Sequence, residues 1–150
     1  MYKLGIDLGG TNIVAGVVDE NYKIVATGKV KTNLPRPAEE IIDDMVKAAN
    51  MAIETAGLKI SDIDSMGVGS PGAIDPVNGV VCYANNLGFY NVPMAKMLKE
   101  RVLETVKPNA SYSNSKFSSS LSLYSINLGL SEYSLVRRLI CCLSSPKSIA

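Results

Sequence analysis

The stretch Gly5-Ile6-Asp7-Leu8-Gly9-Gly10-Thr11-Asn12 stands between two apolar runs, Tyr2 to Leu8 and Ile13 to Val18, and its reading decides the fold. Tyr2, Leu4, Ile6 and Leu8 alternate with Lys3, Gly5 and Asp7, the period of a strand with unlike faces. Ile13-Val14-Ala15-Gly16-Val17-Val18 reads as a more fully buried partner strand, and Gly9-Gly10 marks the turn of a hairpin between them. Two glycines remove the Cβ atoms that keep an anion off the backbone and permit positive φ. Successive N–H groups can therefore converge on a phosphate, with Thr11 adding a hydroxyl donor. Asp7, one residue before Leu8, is placed to hold a magnesium ion through water, because a hard cation bound to nucleotide phosphates favours one or two carboxylates. Taken alone, a Gly-Gly turn is also the mark of an ordinary hairpin.

Asp19-Glu20-Asn21 is turn-like, and Tyr22 to Val30 reads as a third strand with Gly28 inside it, which suggests an antiparallel meander. Pro35 and Pro37 precede a helix over 38–56, whose Ile41, Ile42, Met45, Val46, Ala49, Ile53 and Ala56 recur at spacings of three and four. Glu39, Glu40, Asp43 and Asp44 crowd its first turns, where carboxylates favour the positive end of the dipole, and Gly57 supplies a stop. A solvated helix face explains this cluster better than a metal site does. Ile63 to Val68 is the next strand, and it leads into Gly69-Ser70-Pro71-Gly72-Ala73-Ile74-Asp75-Pro76. Gly/Pro-rich loops after strand ends are where open α/β sheets place ligands. Val77-Asn78-Gly79-Val80 reads as a small hairpin with an Asn-Gly type I′ turn. A second helix is expected over about 93–102, with Met94, Met97, Leu98 and Arg101 along one side.

The chain has 150 residues, enough for one ordinary core, and a formal net charge of +1, which offers no electrostatic pull toward nucleic acid or a membrane. No secretory pattern follows Met1, and the three cysteines, Cys82 and adjacent Cys141-Cys142, suggest neither a disulfide framework nor spaced zinc ligands. A cytoplasmic location is the expectation. There is no histidine, so a Ser-His-Asp or Cys-His mechanism within these residues is excluded. Composition breaks sharply near residue 110. Residues 111–150 hold 13 serines, whereas the first 110 hold only Ser61, Ser65 and Ser70, and the last aspartate is Asp75. Leu121 to Ile126 alternates like a strand, and the stretch around Arg137-Arg138 is too interrupted for a membrane span.

Three stretches in order, Asp7-Leu8-Gly9-Gly10-Thr11-Asn12, Gly67 to Asp75 with its Gly-x-Gly-x-Pro-Gly-x-x-Asp pattern, and Asn86-Leu87-Gly88-Phe89, resemble the ROK sugar kinases (repressors, open reading frames, kinases) of the actin and hexokinase superfamily. The likeness is to the bacterial glucokinases of that family and covers residues 2–101. It implies an α/β fold: the N-terminal lobe of an actin-like ATPase or ribonuclease H-like domain, with a three-stranded meander, a helix and a strand, present in incomplete form. It implies ATP-dependent phosphorylation of a hexose, glucose to glucose 6-phosphate, with ATP and Mg2+. Asp7, Leu8, Gly9, Gly10, Thr11 and Asn12 would meet the ATP phosphates, and Asp7 the magnesium ion through water. Backbone around Gly72 and Ala73 and the amide of Asn86 would line the sugar pocket.

The partners so implied are a small-molecule hexose and ATP, and a homodimer at full length. The family's proton acceptor is an Asp in an Asn-Asp-Ala-Asn type motif after the second helix. That segment would fall near 108–114, which reads Pro108-Asn109-Ala110-Ser111-Tyr112-Ser113-Asn114 and has no aspartate. Neither Ser nor Asn is a useful base near neutral pH. The family's His/Cys zinc motif is missing too, so neither a catalytic residue nor a zinc site is assigned, and these 150 residues are expected to be catalytically impaired. Residues 1–105 are read as the lobe and 106–150 as a Ser-rich tail foreign to the family, the expected product of a shifted reading frame. The alternative is a non-catalytic, sugar-sensing or regulatory member on the same scaffold.

Overall fold

The computed structural model describes residues 2–106 and 121–125. The segment 108–114 and the Arg137-Arg138 and Cys141-Cys142 stretches lie outside the described residues. The elements run β1 (Tyr2–Leu8), β2 (Asn12–Val18), β3 (Ile24–Lys31), α1 (Ala38–Thr55), β4 (Ile63–Ser70), β5 (Ala73–Asp75), β6 (Val80–Ala84), β7 (Phe89–Val92), α2 (Met94–Val106) and β8 (Leu121–Ser125). Short 3-10 turns stand at Ile60–Asp62 and Asn85–Leu87.

A five-stranded sheet has the order β3-β2-β1-β4-β8, and a three-stranded sheet the order β5-β6-β7. The first three strands form the expected antiparallel meander, while β4 lies parallel to β1 and β8 parallel to β4. The topology is that of the actin-like lobe: meander, helix, then parallel strands. Leu121–Ser125 extends the sheet beyond β4.

Alternation in the strands explains where the core lies. Leu4, Ile6 and Leu8 pair in register with Val17, Ala15 and Ile13, and all six are fully buried. The intervening positions Gly5 and Asp7 pair with Gly16 and Val14 across β2 and with Gly67 and Gly69 on β4, so Asp7 stands on the opposite, glycine-rich face. Each fully buried Ile, Leu or Val contributes roughly 1.5 to 3 kcal/mol, so both strands of the hairpin anchor it through this face.

α1 buries Ile41, Ile42, Met45, Val46, Ala48, Ala49, Ala52 and Ile53, the helical stripe expected from their spacing. It lies directly on β3 because a Cβ on Gly28 would stand 2.2 Å from the Ala48 carbonyl oxygen. The helix ends as Gly57 adopts φ +69 and donates to the Glu54 carbonyl, while Leu58 donates to that of Ile53. This pair of bonds satisfies the last carbonyls, and only glycine adopts the turn without strain.

Several local expectations are revised. The acidic cluster on α1 is partly engaged rather than simply solvated: Asp43 pairs with Arg101 and Asp44 with Arg36. The 77–80 hairpin is real, but its loop is not type I′, because only Gly79 has positive φ. Asp75 explains the difference. Its carboxylate accepts from the backbone N–H groups of Val77 and Asn78 and from the Asn78 amide, which stabilises a longer turn. β4 runs on through Gly69 and Ser70, which read as loop, and Val80–Val92 contains two strands where the sequence showed only one hairpin signal. α2 begins at Met94, with Met94 and Leu98 fully buried and Met97 partly so, as their spacing predicts.

Candidate functional site

The parallel strands β1 and β4 end on the same side of the sheet, and the segments that follow them carry the first two sequence motifs, while the third follows β6 of the smaller sheet. Gly9 donates its N–H to the Asn12 carbonyl at 3.0 Å, closing the hairpin around Gly10 and Thr11. A Cβ on Gly9 would stand 2.9 Å from the Asn12 oxygen, so this tight closure requires glycine there. Gly10 and Thr11 are exposed, and Asp7 and Asn12 are half-buried. Leu8 is fully buried, so its side chain belongs to the core and only its backbone faces the turn.

The second motif leaves the end of β4. Gly72 has φ +102, and a Cβ there would stand 2.1 Å from the Tyr83 carbonyl and 2.8 Å from the Ala84 Cβ. The Pro-Gly loop is therefore pressed onto the end of β6, where Ala73 pairs in register with Tyr83. Tyr83 and Ala84 lead straight into the 3-10 turn that carries Asn85 and Asn86, held by a Tyr83 hydroxyl to Asn85 Oδ1 bond of 3.2 Å. Gly88 ends that turn with φ +67. Asn86 is exposed, and its Nδ2 lies 3.5 Å from the point a Cβ on Gly10 would occupy. The structure thus brings all three motifs to one place: Gly72 and Ala73 against the base of the Asn86 turn, and Asn86 against the glycine hairpin.

Two residues of this site were not apparent from the sequence. Thr32 is fully buried, donates its hydroxyl to the Gly9 carbonyl at 2.7 Å and its N–H to the Thr11 carbonyl at 3.0 Å. Arg36 in turn donates to the Thr32 carbonyl from Nε at 3.1 Å and from NH2 at 2.9 Å, and pairs with Asp44 on α1 at 2.5 Å. The available signal was positional: a hairpin closing at residues 9–12 and a third strand reaching Lys31 set Thr32 opposite Thr11.

Asp7 is half-buried at the strand end beside Gly69. A carboxylate at the strand end beside the glycine hairpin is the hard oxygen donor that a magnesium ion on nucleotide phosphates takes. Asp75 is half-buried, and the Asn78 amide, with the Asn78 and Val77 N–H groups, holds its carboxyl below the usual range. Its role is to set the β5–β6 turn. A groove of about 560 Å³ beside Asp43, Lys47, Met51 and Arg101 lies along α1 and contains none of the motif residues. We place the candidate site at the loops, where backbone donors and side-chain amides converge, rather than in this open channel. Among the described residues no helix is long and apolar enough to cross a membrane.

Comparison with known proteins identifies the family. The model of the ROK family matches residues 3–111. The glucokinase of Streptomyces coelicolor is 33% identical over 100 residues, covering 66% of this chain and 29% of that protein. The xylose repressor of Caldicellulosiruptor bescii is 30% identical over 105 residues, covering 65% of this chain and 25% of that protein. Among solved structures, a ROK family glucokinase from Streptomyces griseus in complex with glucose and AMPPNP superposes with a TM-score of 0.60 at 35% identity, covering 68% of this chain and 30% of the other. The chain thus spans about 30% of the length of the proteins it matches. The family match extends beyond residue 101, where the motif resemblance stopped. With the three motifs brought close together and the family model matching most of the chain, this protein belongs to the ROK family.

Proposed function

We propose that this chain supplies the triphosphate-holding hairpin and part of the hexose pocket of an ATP-dependent sugar kinase, with glucose as the sugar. The observation that carries the reading is the nearness of Asn86 to Gly10, its Nδ2 lying 3.5 Å from where a Cβ on Gly10 would stand: a side-chain amide suited to ring hydroxyls lies beside a turn suited to phosphates. Phosphoryl transfer requires that juxtaposition, because the attacking hydroxyl and the γ-phosphorus must be held in line.

In this reading Gly9, Gly10, Thr11 and Asn12 hold the phosphates through backbone N–H groups and the Thr11 hydroxyl, and Leu8 contributes backbone alone. Asp7 would hold the magnesium ion, which neutralises charge on the phosphates. Gly72 and Ala73 present backbone, and Asn86 its amide, to the hexose. The new O–P bond forms as the bond from the γ-phosphorus to the β-bridging oxygen breaks, and the hydroxyl proton must pass to a base. Asp75, the last aspartate, is committed to its own turn, and Glu100 is exposed on α2. With no aspartate in 108–114, where the family resemblance puts the base, binding without efficient turnover is the expected behaviour of the 150-residue chain.

A coupled ADP-release assay with glucose and Mg·ATP tests this. Turnover within background is expected, and robust turnover would contradict the missing base. The repressor relative favours a second reading, a sugar-sensing role without phosphotransfer. Sugar binding with no affinity for Mg·ATP would select it.

A further inference from the structure

The carbonyls of Gly9 and Thr11 both point at Thr32, one accepting its hydroxyl at 2.7 Å and the other its N–H at 3.0 Å. Among the described residues the sole cis peptide is Leu34-Pro35, so the units of the hairpin are trans and planar. In such a unit the C=O and the following N–H point in opposite directions. A Gly9 carbonyl drawn inward therefore turns the Gly10 N–H outward. No hydrogen bond within the described residues uses the N–H of Gly10 or of Thr11.

Resting on the phosphate-site reading of this turn, we infer that Thr32 is a positioning residue that keeps the hairpin's N–H groups aimed at the phosphates. A Gly9-Gly10 unit has little intrinsic preference between its two orientations, because glycine accepts φ of either sign. Flipped, it would present a carbonyl oxygen to an anion. Thr32 does not touch the ligand, since it is fully buried behind the turn. Its own peptide is fixed in turn: Arg36 grips its carbonyl with two N–H groups and is itself held by Asp44 at 2.5 Å and Glu40 at 3.6 Å. The phosphate turn is thereby tied to the first turns of α1.

Titration calorimetry of Mg·ATP with the 150-residue chain and its Thr32→Val and Thr32→Ser variants tests this, at a temperature where circular dichroism shows each variant fully folded. Removing the hydroxyl while keeping the shape is expected to weaken Mg·ATP binding about tenfold, the scale of one lost hydrogen bond with a stranded carbonyl. Thr32→Ser is expected to stay within about twofold of the parent. A purely structural Thr32 would change the melting temperature and leave the affinity of the folded protein unmoved, which would overturn the inference, as would failure of Ser to restore binding. Should Thr32→Val not fold, Arg36→Met keeps the hydroxyl and releases the Thr32 carbonyl. A several-fold loss of Mg·ATP affinity is then expected, and none would overturn the role. If the parent chain binds no Mg·ATP, the phosphate-site reading falls and this inference with it. If the parent binds and Thr32→Val binds equally, only the inference falls.

Discussion

Asn86 holds its side-chain amide 3.5 Å from the position a Cβ on Gly10 would take, joining the third motif of the chain directly to the first. A residue with a side chain longer than one carbon at Gly10 would meet that amide.

Replacing Asn86 by alanine is expected to weaken glucose binding about tenfold or more, because a polar group of fixed geometry is lost from the pocket. Asn86 is exposed, so the stability of the chain should change by no more than about 0.5 kcal/mol. Titration with glucose and chemical denaturation of the same variant check the two halves. Unchanged glucose affinity would remove Asn86 from the pocket.

Gly72 and Gly88 both have positive φ but differ in their surroundings. Gly72→Ala combines backbone strain with a clash against the Tyr83 carbonyl and should cost about 2 to 4 kcal/mol. Gly88→Ala meets nothing within 4 Å, leaving only strain of about 1 kcal/mol. Urea unfolding of both variants gives the comparison, and equal losses would contradict the packing of the Pro-Gly loop on β6.

The meander, α1 and β4 were legible in the sequence because each carries its own period: alternation in Tyr2–Leu8, three-four spacing in Ile41–Ile53, and glycine stops at Gly9-Gly10 and Gly57. The convergence of the motifs was legible only through the family likeness, since nothing local in Asn85-Asn86 says that it lies against Gly10. Thr32 escaped notice for a related reason. Its partners are Gly9 and Thr11, and a bond across the sheet leaves no trace in neighbouring residues. The strand Phe89–Val92 was missed because it is short and interrupted by Asn91, whose φ is positive. The turn at 77–80 departs from the type I′ geometry that Asn-Gly signals because an upstream carboxylate, Asp75, competes for its N–H groups.

Arg101 pairs with Asp43 across the α1–α2 contact, with side chains 24% and 62% exposed. Screening by water limits such a pair, so Arg101→Met should cost no more than about 1 kcal/mol. Thermal unfolding at low and high salt checks this, and a larger, salt-insensitive loss would give the pair a greater share in docking α2.

Asp75 has a lowered pKa in the folded chain, mainly through the Asn78 amide. A depressed carboxylate binds its proton less tightly when folded than when unfolded, so its contribution is complete above the ordinary Asp value of about 4 and fades as pH falls through the lower folded value. The stability difference between the parent and Asp75→Ala should therefore shrink on acidification below about pH 4. A difference constant from neutral pH to strong acid would contradict the role given to its three hydrogen bonds.

The most direct test of the joined phosphate and hexose site is an amide NMR titration of the 15N-labelled chain, first with Mg·ATP and then with glucose. The resonances of Gly9, Gly10, Thr11 and Asn12 should move with the nucleotide, and those of Gly72, Ala73 and Asn86 with the sugar. Shifts confined to other parts of the chain, or none at all with either ligand, would contradict it.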